Sequence, residues 1–196
     1  SFDSGSAFSS PYETMEKQIL VFTGAMDYWP NADAVAWFTE QVFPVLKHRW
    51  PEAQFYIVGS KPSEKVSTLA QNEDVFVTGR VADVRPYLQH ATAVIAPMRI
   101  ARGIQNKVLE AMAMAKPVVV TSMGLEGIDA EDGVEVLIAD DVQSYVDKLS
   151  MVFTGKKPAL GANARAKVCK DFSWEKSLCE LDKWLEVSSD RDEAME

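Results

Sequence analysis

The chain of 196 residues is long enough to bury a full hydrophobic core within one domain. Its 47% hydrophobic and 25% charged residues match the composition of a soluble globular protein. A formal net charge of −9 argues against a nucleic-acid partner, which usually meets a basic face. Small anions stay open, because local donors and helix N-termini hold them whatever the net charge.

No apolar run approaches the ~20 residues of a spanning helix, and no signal-peptide pattern opens the sequence. The longest candidate, Val108 to Val120, is broken by Glu110, Lys116 and Pro117. A cytoplasmic location is expected. Cys169 and Cys179 lack pair or metal spacing and read as reduced, free thiols; with only His48 and His90, a histidine-rich metal centre is not expected either.

Residues 1–17 are Ser-rich, without apolar periodicity, and read as a linker or boundary. The first strand is predicted over Ile19–Thr23, followed by the loop Gly24–Pro30. A helix then runs from Ala32 to about Arg49, capped by Asn31 and kinked by Pro44. Strands Gln54–Val58 and Val75–Thr78 flank a helix over Pro62–Gln71. Asp83 reads as the N-cap of a helix reaching His90, before the strand Ala93–Ala96. A helix over Gly103–Ala115 precedes strands Pro117–Thr121 and Val134–Ile138. Helices over Asp141–Thr154, Leu160–Lys170 and Trp174–Val187 follow, and residues 188–196 form a polar tail. The short strands are apolar on both faces and alternate with amphipathic helices. This predicts an α/β fold, a doubly wound, Rossmann-like parallel sheet of six strands, with ligands beyond the C-terminal strand ends.

The segment Ala96–Thr121, APMRIARGIQNKVLEAMAMAKPVVVT, carries most information. At ~100° per residue, Ile104, Val108, Ala111, Met112 and Ala115 share the face that packs on the sheet. Gly103, Asn106, Lys107, Glu110 and Met114 share the opposite face. A glycine at a helix start admits close backbone approach to a phosphate, and the free N–H groups there favour an anion. Arg99, Arg102 or Lys107 would add charge-assisted bonds, and Glu110, two turns in, suits a ribose. Periodicity alone supports equally well a surface helix whose Glu and Lys are solvated.

LEAMAMAKPVVVT, from Leu109 to Thr121, resembles the LEAMA-G-PVV-T signature of family 4 glycosyltransferases (glycosyl transferases group 1), with Ala115 where many members have Gly. The likeness continues in order through FTGAM (Phe22–Met26), FYIVGSKP (Phe55–Pro62), VFVTGRVADVRPYL (Val75–Leu88), DGVEVLIADD (Asp132–Asp141) and FSWEKSL (Phe172–Leu178). It implies that residues 18–187 form the nucleotide-sugar-binding, C-terminal domain of a two-domain GT-B enzyme. The expected reaction moves a sugar from a UDP- or GDP-sugar to a glycan or lipid-linked acceptor, with retention, no metal and no cofactor. The acceptor would be recognised by an N-terminal domain. Glu110 would hold the donor's ribose. GAMDYWPNADA and RIARGIQNKVLEAMA look most like bacterial sugar transferases of exopolysaccharide and exosortase (PEP-CTERM) loci.

Two departures stand out. Arg102 occupies the position of the family's first, sugar-contacting glutamate, and residues 24–36, beginning at Gly24, lack the Arg and Lys that meet the diphosphate. Either Arg99, Arg102 and Lys107 replace those cations, or the domain has lost or changed its chemistry. Gly79, Arg80 and Val81 are candidates for contacting the base, with a simple chain turn as the alternative at Gly79. Glu126 is a candidate for facing the sugar, with plain solvation as the alternative. A GT-B nucleotide-sugar epimerase and a non-catalytic partner module remain rivals. An NAD-dependent dehydrogenase is disfavoured, because Gly24 stands alone where GxGxxG is needed.

Overall fold

A computed structural model describes residues 8–12 and 18–171. The predicted helix over Trp174–Val187, the FSWEKSL motif, Cys179 and the tail lie outside them. Six parallel strands form one sheet: β1 (Ile19–Thr23), β2 (Gln54–Val58), β3 (Val75–Gly79), β4 (Ala93–Ala96), β5 (Val118–Val120) and β6 (Leu137–Ile138), in the order β3-β2-β1-β4-β5-β6. Every residue of β1, β4 and β5 is buried, which is why those strands read as unbroken apolar runs and not as alternating ones. The order reverses between β1 and β4, so the loops leaving them diverge and open a crevice at the C-terminal sheet edge.

Seven α-helices complete the described chain: α1 (Trp29–Trp37), α2 (Phe43–Arg49), α3 (Glu64–Thr68), α4 (Arg85–His90), α5 (Asn106–Ala113), α6 (Val142–Phe153) and α7 (Leu160–Asp171). The long helix expected from Ala32 to Arg49 is two helices joined by a π-helical turn at Phe38–Val42. Pro44 has no N–H to give to Glu40; the Phe43 amide instead donates to the Phe38 carbonyl five residues back. The turn aims Phe38 into the core, where its ring lies 5.0 Å from Phe55 and 5.7 Å from Tyr145.

Four boundaries differ from the sequence reading. Asn31 is not a cap: α1 begins two residues earlier, with Pro30 in its first turn, and Asn31 is buried. The helix expected from Gly103 opens at Asn106, because Gly103 sits at φ 68° in an irregular loop. Asp83 precedes α4 but is not its N-cap, which is Val84; its carboxylate accepts from the Arg85 amide and pairs with the Arg85 guanidinium, which holds the carboxyl below its usual range. The sixth strand is shorter than expected, since residues 131–136 close into a turn with Gly133 at φ 80°.

The segment 8–12, inside the expected linker, belongs to the folded body. Tyr12 is buried, its ring 4.7 Å from Tyr56, and its hydroxyl donates to the Tyr87 carbonyl at 2.7 Å. Cys169 is free and exposed on α7. No helix among the described residues is long and apolar enough to cross a membrane.

Candidate functional site

A cleft of about 460 Å³ lies at the C-terminal ends of β1, β2 and β3. Its floor is made of Thr23 and Gly24 after β1, and Val58, Gly59 and Ser60 after β2. Arg80, Val81 and Val84 form one wall; Asn31 of α1 and Asn106, Lys107 and Glu110 of α5 form the other. The floor is open because it is glycine. A Cβ on Gly59 would overlap the Gly24 carbonyl oxygen, and one on Gly24 would fall 2.7 Å from Asn31 Nδ2. A side chain at Gly59 would push the two floor loops apart, and one at Gly24 would displace Asn31.

Glu110 is half-buried in this wall, and burial raises its carboxyl above the ordinary range, against the opposing pull of Lys107. Its carboxylate accepts no hydrogen bond among the described residues. Lys107 is more deeply enclosed. Its Nζ donates to Asn31 Oδ1 at 2.8 Å, lies 5.1 Å from the Phe22 ring centre, and is pushed down by burial to about 8. Thr23, 4% exposed at the end of β1, has a buried hydroxyl with no partner among the described residues. A carboxylate and a hydroxyl without partners among the described residues thus line one crevice with a buried ammonium. Such groups cost free energy unless a polar ligand engages them.

Of the residues singled out in the sequence, Gly24, Arg80, Val81, Lys107 and Glu110 line the cleft. Gly79 lies next to its wall, at φ 67° with open space around its α-carbon. Arg102, Gly103 and Glu126 are exposed and outside the lining. Arg99 is committed elsewhere: its guanidinium makes two bonds to Asp33, at 3.0 and 2.5 Å, and lies over the Trp37 ring. The expected cluster of three cations therefore reduces to Lys107, joined across the cleft by Arg80. Because α5 opens three residues late, Gly103 is not at the helix start, and the free amides belong to Asn106 and Lys107.

Sequence reasoning missed Thr23, Asn31, Val58, Gly59, Ser60 and Val84, and gave no role to Asn106, although it placed that residue on the face of Lys107 and Glu110. Gly59 was legible as a second glycine ending a strand adjacent to β1. Asn31 was hidden by its plausibility as a cap.

Comparison with known proteins bears on the family and the fold. Residues 17–154 match the family described as Glycosyl transferases group 1. Among solved structures, TarM of S. aureus superposes with a TM-score of 0.70 at 20% identity, covering 91% of this chain and 36% of TarM. HepE of Anabaena, solved in complex with UDP-glucose, gives 0.65 at 16% identity, covering 88% and 49%. The C-terminal domain of the group 1 glycosyl transferase LpcC from Francisella tularensis gives 0.63 at 16%, covering 84% and 96%. The chain thus spans a third to a half of the longer structures and nearly all of an isolated C-terminal domain. No curated protein sequence matched. With the family match spanning well over half its length, the chain belongs to the group 1 glycosyl transferases.

Proposed function

We propose that this domain binds the nucleoside diphosphate of a UDP- or GDP-sugar, and that with an N-terminal acceptor-binding domain it transfers the sugar to a glycan or lipid-linked acceptor in the cytoplasm. The observation that carries the reading is Glu110, a half-buried carboxylate with no hydrogen-bonding partner among the described residues, one turn along α5 from Lys107. A ribose offers two adjacent hydroxyls, the donors such a carboxylate lacks. HepE with bound UDP-glucose and TarM with bound UDP share this fold.

In this reading the diphosphate lies over Gly24 and Gly59, against the amides of Asn106 and Lys107 and the Lys107 ammonium. The base lies along Arg80, Val81 and Val84. Departure of the nucleoside diphosphate concentrates negative charge on its terminal phosphate. Lys107 and the oriented amides stabilise that charge without a metal ion. Glu110 is the only carboxylate in the lining among the described residues, so groups outside this cleft complete the sugar's surroundings. We expect retention of anomeric configuration.

Thermal melting tests the reading. UDP or GDP raises the melting temperature of the chain, NAD does not, and Glu110→Ala abolishes the rise. Stabilisation by NAD alone, or by no nucleotide, overturns it. Labelled donor with the full-length enzyme, with and without EDTA, then separates transfer from epimerisation and tests metal independence.

A further inference from the structure

We propose that Asn31 is a positioning residue that delivers the diphosphate-binding cation from the wrong side of the cleft, by fixing the Lys107 ammonium of α5 against the glycine loop of β1. The inference rests on the donor-site reading above and adds the device that makes Lys107 usable.

The geometry is a relay of three groups. Asn31 Nδ2 donates to the Ala25 carbonyl at 2.9 Å, which anchors the amide to the loop after β1. Its Oδ1 accepts from Lys107 Nζ at 2.8 Å. The side chain is 5% exposed and sits where Gly24 lacks a Cβ, with the Lys107 Cε 3.5 Å from that same vacant position. A loop without Arg or Lys of its own thereby acquires an ammonium from a helix three strands further along the sequence. One asparagine satisfies both directions: its NH₂ takes the backbone acceptor and its oxygen the cation.

The neutral amide matters as much as its position. The charged groups around Lys107 are Glu110 on its own helix and Arg80 on the facing wall; Gln105 Oε1 at 3.3 Å, Met98 Sδ at 3.9 Å and the Phe22 ring are uncharged. A carboxylate in place of Asn31 would neutralise the ammonium in the empty cleft and compete with the phosphate. The amide orients it and leaves its charge for the ligand.

The test is a double-mutant cycle on UDP affinity measured by isothermal titration, with GDP run in parallel. Asn31→Ala weakens UDP about tenfold, the scale of one charge-assisted hydrogen bond, and adds no further loss in a Lys107→Ala background. Asn31→Asp keeps an oxygen facing Lys107. It shifts the fall of affinity with pH from a midpoint near 8 in the unmodified chain to a higher value. Additive losses, or an unshifted midpoint in Asn31→Asp, overturn the proposal while leaving the donor site standing. Failure of the unmodified chain to bind either nucleotide overturns both. Melting curves of the free variants identify any that fail to fold; if Asn31→Ala does, the Asn31→Asp pH profile decides.

Discussion

The α-carbon of Gly59 packs directly against the carbonyl of Gly24, so that no Cβ fits between β1 and β2 where both enter the cleft. The contact joins two loops that form one floor, and backbone cannot yield as a flexible side chain would. Gly59→Ala is expected to cost about 1–3 kcal/mol, the range of overpacking, and to weaken nucleotide binding. Gly79→Ala meets nothing within 4 Å and bears only the strain of its φ of 67°, about 1–2 kcal/mol. Denaturant unfolding combined with UDP titration distinguishes them: Gly59→Ala loses binding, and Gly79→Ala loses stability alone.

Ala115 closes α5 in a left-handed conformation, φ 56°, with its amide donating to Met112 and the Lys116 amide donating to Ala111. This pair of bonds is the helix-terminating motif that favours glycine, which gives a physical reason for the glycine of the resembling signature. Ala115→Gly is expected to stabilise the chain by up to about 1 kcal/mol, strain relief set against added chain entropy. An unchanged or lower unfolding free energy contradicts this.

Burial pushes Lys107 down to about 8. Between that value and its ordinary one near 10.5, the unfolded chain holds more protons than the folded chain, so stability rises with pH across that window. Lys107→Met removes the rise. Glu110 is shifted upward, so its contribution runs the other way: stability falls as pH climbs through its raised value. A diphosphate beside Lys107 draws its proton back. Binding of UDP at pH 9 is therefore accompanied by proton uptake, read from the dependence of binding enthalpy on buffer ionisation, and Lys107→Met abolishes it.

Arg99 and Arg80 separate by place. Arg99→Ala breaks a half-exposed pair with Asp33, worth about 0–1 kcal/mol, and leaves UDP affinity within about twofold. Arg80→Ala lowers it several-fold, as loss of a cation from the cleft wall should. Equal effects in titrations of the two variants would refute the separation.

The parallel sheet was legible because its strands are buried on both faces and advertise themselves as short apolar runs; β1, β2 and β4 fall on the bounds expected from sequence. The α5 stripe was legible in part: Val108, Ala111 and Met112 repeat at helical spacing and are buried as expected, whereas Ile104 falls before the helix and is exposed, and Met114, expected on the opposite face, is buried at the helix end. What periodicity does not carry is which polar neighbours claim a charged group. Arg99 looked like a phosphate ligand by proximity in sequence, yet Asp33, sixty-six positions away, holds it. Asn31 has the residue type of a cap, and only the start of α1 at Trp29 frees it for Lys107. Tyr12 escaped notice because a single aromatic among serines has no period, although three tyrosines from distant segments meet there.

The most direct test of the account asks whether Glu110 meets the ribose. UDP and 2′,3′-dideoxy-UDP are titrated against the unmodified chain and against Glu110→Ala. The unmodified chain should prefer UDP by about tenfold or more, the worth of a bond to a charged group, and Glu110→Ala should bind both ligands equally. A preference for UDP that persists in Glu110→Ala, or an equal loss of both ligands, would contradict the assignment of this carboxylate to the pentose.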